Sequence, residues 1–476
     1  MPLSPLRRPG IGVAATTALV ALAATAPGLG LAAPSSTADP AAARAGASWL
    51  ADEFTDGALP GPFGGQDWGL TVDGLLALTA ADVAEPTRRA ATDQVAAHVR
   101  SYNSYDDYGI EGFTDGGATA KLLYAATAAG ADPTDFGGWD LRAETLALVA
   151  GADSGDQRGR ITSRTNEASG PDASNTFDQA FTVLGLARSG DLPQDPVDFL
   201  LRQQCAAGGF RLYPDAGDKP TCDTQAAPTL DVDSTAMAVQ ALLTAAEEGA
   251  TGAADAARRG ADWLLTQQHA DGSFGGSGPT TGTNANSTGL AGQALAAAGR
   301  DTAADRAAVA LVALQLTTAT GGAAAADAGA IAYNAESLAA ARGAGLGEND
   351  RDQWRRSTAQ ALLGLAQVPL GRIGLDPPSS PSPSPSVSVS PSPSGSPTPS
   401  GSATPTPTPS LTDSPVPPTP TSTASTPSAA PSTTPAGGGT GGLPTTGASV
   451  VTYLLVALLL IGGGTALVVV TRRRTT

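Results

Sequence analysis

A cassette of about 50 residues recurs along this chain, and no other feature narrows its fold as much. The clearest copy holds Trp263, the pair Gln267-Gln268, the turn Asp271-Gly272-Ser273-Phe274-Gly275, then Asn286-Ser287-Thr288 and an apolar stretch to Leu295. The copy before it reads Phe199, Gln203-Gln204-Cys205, Gly208-Gly209-Phe210, then Asp233-Ser234-Thr235-Ala236 and on to Leu242. Weaker copies hold Trp49 with Asp67 and the stretch to Leu78, Val99 with Asp115, Leu146 with Asn175, and Leu314 with the stretch Asp327 to Ala340. Six units result.

Each unit reads as a helix ending in Gln-Gln, a Gly-rich turn, and a second helix opened by Asp or Asn. Short side-chain oxygens satisfy the free N–H groups of a first helical turn, so Asp67, Asp115, Asn175, Asp233 and Asn286 are read as caps. The second helices are small and apolar all round and belong inside, whereas the first carry the charges and belong outside. Six such hairpins predict an all-α fold, an α6/α6 toroid over residues 42–373.

The combination of Trp or Phe, Gln-Gln, Gly-Ser-Phe and Asp-x-Ser/Thr-Ala resembles the QW-type repeats of the terpene cyclase and protein prenyltransferase superfamily. The cobalamin carriers share this toroid and a similar helix opening. The resemblance implies an apolar funnel at the ring centre, for which Trp68, Tyr124, Phe177, Phe181 and Tyr333 are the expected lining. An apolar or corrinoid small molecule, or a surface partner, is the occupant it suggests.

Chemistry concentrates at Leu230-Asp231-Val232-Asp233-Ser234-Thr235-Ala236. This resembles the DxDD motif of class II terpene cyclases and makes Asp233 the candidate proton donor, with Asp231 in support. Ser234 stands where the last Asp belongs, and only 21 residues of the chain are Phe, Trp or Tyr to hold a carbocation. No zinc set of the prenyltransferase kind and no thioester sequence of the complement kind is present, and no cofactor is implied. His98 near Tyr102, Tyr105 and Tyr108 is the one patch suggesting a polysaccharide lyase. The expectation is therefore a ring that binds without catalysis. An isoprenoid enzyme using Asp233 and a structural or adhesive surface domain are its alternatives.

Both ends of the chain read as export and anchoring signals. Arg7 and Arg8 precede an uncharged stretch from Ile11 to Ala24, so residues 1–33 read as a signal peptide. Residues 374–442 form a stalk, and from Ser379 to Gly442 it is Pro, Ser, Thr, Ala and Gly with little else. In polyproline geometry that run extends up to ~200 Å. Leu443, Pro444, Thr445, Thr446 and Gly447 then precede an apolar run from Val450 to Val470, long enough to span a bilayer as one helix, and Arg472 to Arg474 follow. This order, over residues 443–476, resembles the LPxTG sorting signal of Gram-positive surface proteins. A sortase would cut between Thr446 and Gly447 and join Thr446 to a peptidoglycan precursor.

A net charge of −17 argues against nucleic acid and anionic lipid as partners. Cys205 and Cys222 are the only cysteines, and export favours a disulfide between them. A metal site is the rival reading, but neither His98 nor His269 stands at ligand spacing from them.

Overall fold

The computed structural model describes residues 39–214 and 219–375. The signal peptide, the stalk, the sorting motif and the run Val450 to Val470 lie outside the described residues. Among those described, no helix is long and apolar enough to cross a membrane.

The fold is all-α. In chain order the helices are α1 (Pro40–Asp52), α2 (Trp68–Ala80), α3 (Glu85–Ala97), α4 (Val99–Asn103), α5 (Gly116–Ala128), α6 (Leu141–Leu148) and α7 (Thr176–Arg188). Then come α8 (Gln194–Arg202), α9 (Val232–Glu247), α10 (Ala253–Gln267), α11 (Ala285–Ala297), α12 (Asp301–Ala313), α13 (Ala335–Ala344) and α14 (Arg351–Ala366). Two short strands, β1 (Phe210–Arg211) and β2 (Leu230–Asp231), pair antiparallel ahead of α9.

Helices α2, α5, α7, α9, α11 and α14 pack side to side in that order, and α14 returns to α2, closing an inner ring. Outside it stand α1, α3 with α4, α6, α8, α10 and α12. The result is an α/α toroid of six hairpins. The sixth inner helix is α14 and not the stretch 327–340, because residues 335–344 form an extra helix against the 3₁₀ turn Gly322–Asp327.

A Gln just past three of the outer helices stitches neighbouring units. Gln204 Nε2 donates to the carbonyls of Gly208 (2.8 Å) and Ala256 (2.9 Å), the latter in the first turn of α10. Gln268 repeats this with Gly272 and Ala303 of α12. Gln315 donates to Gly329 (3.0 Å) and to Ala42 (2.9 Å) of α1, which joins the last unit to the first. Nearby, Arg351 and Arg355 of α14 pair with Glu53, just past α1, at 2.5 and 2.7 Å.

A side chain near the start of five inner helices, a threonine in four of them, ties the helix to the loop before it and sets its height. Thr71, Thr235 and Thr288 donate to the cap carbonyls of Asp67, Asp231 and Asn284, and accept the loop N–H groups of Leu59, Phe210 and Phe274. Thr358 accepts Ile331 N–H in the same way, and Gln179 accepts Ile161. Two of the expected caps therefore move. Asp231 and Asn284 cap α9 and α11, leaving Asp233 and Asn286 inside the first turn.

With that register, side chains facing the ring interior fall into layers. The layer above the threonines holds Gly69, Gly117, Phe177, Asp233, Asn286 and Arg356. The layer below holds Asp73, Lys121, Phe181, Met237, Leu290 and Gln360. Contacts fit the reading, since Lys121 pairs with Asp73 at 2.6 Å and stands 5.9 Å from the Phe181 ring centre.

The far end is closed by the chain itself. Tyr124 OH donates to Leu370 O (3.0 Å), Gln293 Nε2 to Val368 O (2.6 Å), and Leu370 N–H to Gln240 Oε1 (2.8 Å). Arg188 adds bonds to the carbonyls of Leu370 and Ile373. Residues 368–373 thus plug the ring at the C-terminal ends of its inner helices. A groove of about 350 Å³ beside the plug, lined by Gln240, Thr244, Glu247, Pro369 and Arg372 among others, lies at this end too.

Cys205 and Cys222 are bonded, with their Cα atoms 4.9 Å apart, and tie the β1–β2 loop to the turn after Gln204. Replacing both with serine is expected to lower stability by roughly 3 kcal/mol. Denaturant midpoints with and without reductant check this: reduction should bring the parent down to the variant and leave the variant unmoved.

Candidate active site at the ring mouth

The N-terminal ends of the inner helices form one rim, and the charged groups collect there. On α9, Asp231 caps the helix through bonds from Ser234 N–H and Oγ, both 2.7 Å. Two residues on, Asp233 is buried on the interior line. Burial, then the negative charge of Asp231, push its carboxyl up to about 8, against a hydrogen bond from Ser287. It is held as a neutral acid near pH 7, which is what proton donation requires.

Four oxygens at or just below the rim have no hydrogen-bond partner: Asp178 Oδ1, Asp233 Oδ1, Asn286 Oδ1 and Gln360 Oε1. Their residues are only 4, 5, 5 and 3% exposed. They come from four consecutive inner helices, α7, α9, α11 and α14. Left unmet each would cost about 1–3 kcal/mol, so each is a position at which a water or a ligand group can bond.

Asp178 lies in the first turn of α7, where its Oδ2 accepts Asn175 N–H (2.8 Å). Burial, then the charges of Asp115 and Asp172, raise its carboxyl well above the usual range despite Arg160. Asp115, the cap of α5, is itself raised to about 6 by burial, with Asp172 adding to it. Tyr213 is more than half exposed and lies within electrostatic reach of Asp178 and Asp231, and Tyr333 within reach of Asp233. Burial and these carboxyls raise both phenols, so the tyrosines stay neutral donors.

The cations at this end are engaged. Burial opposes the charge of Lys121, but Asp73 outweighs it and holds the ammonium protonated, so it is no nucleophile. Arg356 pairs with Asp67 and Asp352.

The sequence-predicted residues divide accordingly. Asp231 and Asp233 are adjacent at the mouth, in the roles of cap and buried acid. Tyr333 stands near Asp233, from the loop before α13. Tyr124, Phe177 and Phe181 are core side chains, with Tyr124 and Phe181 rings 5.9 Å apart, and line no funnel. Trp68 stacks on His98 at 4.1 Å, and His98 Nδ1 bonds to Gln94 O, which turns that histidine away from a lyase-like role. Sequence reasoning missed Asp178, Asn286 as an unpartnered group, and Gln360. Alignment of the units on their threonines would have placed Asn286 beside Asp233, but Gln360 required knowing the true last helix.

The non-catalytic ring with an apolar or corrinoid occupant is therefore corrected. Its funnel is filled by Tyr124, Phe177 and Phe181 and stoppered by residues 368–373. The isoprenoid alternative gains no support, because Tyr124, Phe177 and Phe181 are packed in the core. No family model matches the chain, and no curated protein does. Among solved structures, a protein from Actinoplanes is similar at 20% identity and TM-score 0.45, over 69% of this chain and 99% of that one. An unsaturated glucuronyl hydrolase responsible for glycosaminoglycan degradation, from Bacillus sp. GL1, is similar at 13% identity and TM-score 0.41, over 59% and 86%. A UGL structure with the saccharide dGlcA-Glc-Rha-Glc gives 13% and 0.40, over 58% and 84%. Solved structures similar to this chain thus include a glycan-degrading enzyme, and no family is assigned beyond the α/α toroid.

Proposed function

We propose that this protein is a surface-displayed enzyme that cleaves glycosidic bonds, with Asp233 as its proton donor. The observation that carries the reading is Asp233 itself, a buried carboxyl held protonated to about pH 8, with one oxygen unpartnered at the ring mouth. The proton passes to the leaving oxygen as the C–O bond breaks. Water supplies a hydroxyl to the anomeric carbon, and its remaining proton restores the carboxyl over the cycle. The unpartnered oxygens of Asn286 and Gln360 suit the hydroxyl donors of a sugar. The test is a glycan panel, peptidoglycan included, incubated with the full-length protein and followed by reducing-end release. Cleavage of one class, falling as pH rises through about 8, is expected. No release from any glycan sinks the reading.

Display is the second half of the proposal: export by residues 1–33, a stalk over 374–442, and sortase transfer at Thr446. The described chain leaves the ring at the plug, so a tether there keeps the mouth with Asp233 free. Material released from the wall by muramidase is expected to end at Thr446 by mass spectrometry. Deleting residues 443–447 should leave the protein extractable by detergent, and unchanged wall linkage after that deletion would reject the sorting step.

A further inference from the structure

We infer that the mouth accepts a substrate carrying a protonated amine, whose ammonium group is held at Asp178, one inner helix along the ring from Asp233. This rests on the enzyme reading above and names its substrate class: glycans with free amino sugars.

Three carboxyls, Asp115, Asp172 and Asp178, share this part of the rim, and Arg160, the guanidinium that acts on Asp178, is already occupied. Arg160 pairs with Asp172 (3.3 Å) and donates to Ser174 O (3.1 Å) and Gln157 Oε1 (3.0 Å). Arg100 and Arg164 act one residue from Asp115, on Thr114 Oγ1.

Asp178 Oδ1 is 96% hidden with its residue, yet has no partner of either kind. Ionised, it lacks a donor. Protonated, it lacks an acceptor. Neither state is satisfied by the protein alone, so the group is complete only with something added.

Gly117 makes room on α5 for the Asp178 carboxyl itself. Its backbone is ordinary and helical, so glycine is not needed for conformation, but a Cβ at that position would fall inside the contact radius of Asp178 Oδ1. An alanine there would displace the carboxyl from the rim.

An ammonium group suits the site better than a neutral hydroxyl, because it supplies charge to an acid-rich cluster as well as three donors. A metal ion suits it less. Among the described residues, no three His, Cys, Asp or Glu side chains are spaced to hold one. Tyr213, more than half exposed, lies within electrostatic reach of both Asp178 and Asp231.

The test is calorimetric titration of the full-length protein with glucosamine tetramer, its N-acetylated counterpart and a neutral glucose tetramer. The free-amine tetramer is expected to bind at least tenfold tighter. Asp178→Asn should erase that preference, and Asp115→Asn, which keeps a cap-competent side chain, should weaken it if the first variant folds poorly. Asp233→Asn should retain it. Equal affinities, or a preference surviving both Asp178→Asn and Asp115→Asn, overturn the inference. Turnover of neutral glycans without amine preference also overturns it while the enzyme reading stands. Amine-selective binding lost in Asp178→Asn, with no oligomer ever cleaved, upholds the inference and overturns the enzyme reading.

Discussion

Asp233→Asn should lower glycan cleavage by about 10²–10⁴-fold and at the same time make the protein more stable at neutral and alkaline pH. The two effects share one cause. Asparagine is nearly the same shape but has no proton to give, so catalysis stops. It also has no charge to be forced into the rim. The direction follows from the raised carboxyl: near 4 in the unfolded chain and about 8 in the folded one, Asp233 binds its proton more tightly when folded. Its contribution is full below the unfolded value and is lost as pH climbs toward 8, at up to about 1.4 kcal/mol per pH unit. The stability difference between variant and parent should therefore be small at pH 4, grow to several kcal/mol by pH 8, and level off above. Urea denaturation of both proteins from pH 4 to 9 measures it. A difference that is flat with pH would mean Asp233 is not a buried neutral acid, and its catalytic role would go with it. A residue whose removal stabilises the fold while abolishing activity is the pattern expected of a functional site.

Gly329→Ala is expected to cause a large loss of stability for a methyl-sized change. Gly329 has φ of +107°, and a Cβ there would strike the Ala45 carbonyl oxygen of α1. Its own carbonyl is one of the two gripped by Gln315, the other being Ala42. Left-handed backbone and overpacking together should cost about 3 kcal/mol at the joint between the last unit and the first. Gly343→Ala is the control. It lies in α13 with nothing within 4 Å of a new Cβ, so alanine should stabilise by up to about 1 kcal/mol. Guanidinium midpoints of the two variants should move in opposite directions. If Gly329→Ala matches its parent, closure of the ring does not depend on this contact.

Much of this architecture was readable from residue type and spacing. Gln-Gln, Gly-Ser-Phe and small apolar helices mark hairpins because each does a local job: a clamp, a tight turn, a helix that can be surrounded. The turn glycines Gly208, Gly272 and Gly329 all sit at positive φ against a carbonyl of the next outer helix, which is why they recur. Cap positions were not readable. Asp231-Val232-Asp233 and Asn284-Ala285-Asn286 each offer two competent caps, and helix chemistry alone favours neither. Pairing decides it: Asp231 lies opposite Phe210 and Asn284 opposite Phe274, so the chain is still extended at the first of each pair. The second is carried into the helix, onto the interior line, and becomes the unpartnered group.

The funnel shows the same division. Which helices face inward follows from their composition, because a helix apolar on every side has nowhere else to go. Whether the space they enclose is open does not. Tyr124 and Leu370 are 246 residues apart and meet only when the ring has closed. Sequence by itself determined the number of units, their all-α character and, in every unit but the last, the choice of inner and outer helices, since these depend on patterns within a few turns. Tertiary structure alone decided that the interior is filled, that its far end is plugged, and that Asp178, Asp233, Asn286 and Gln360 share one mouth. Those outcomes depend on contacts between segments far apart in the chain, whose burial no local pattern records.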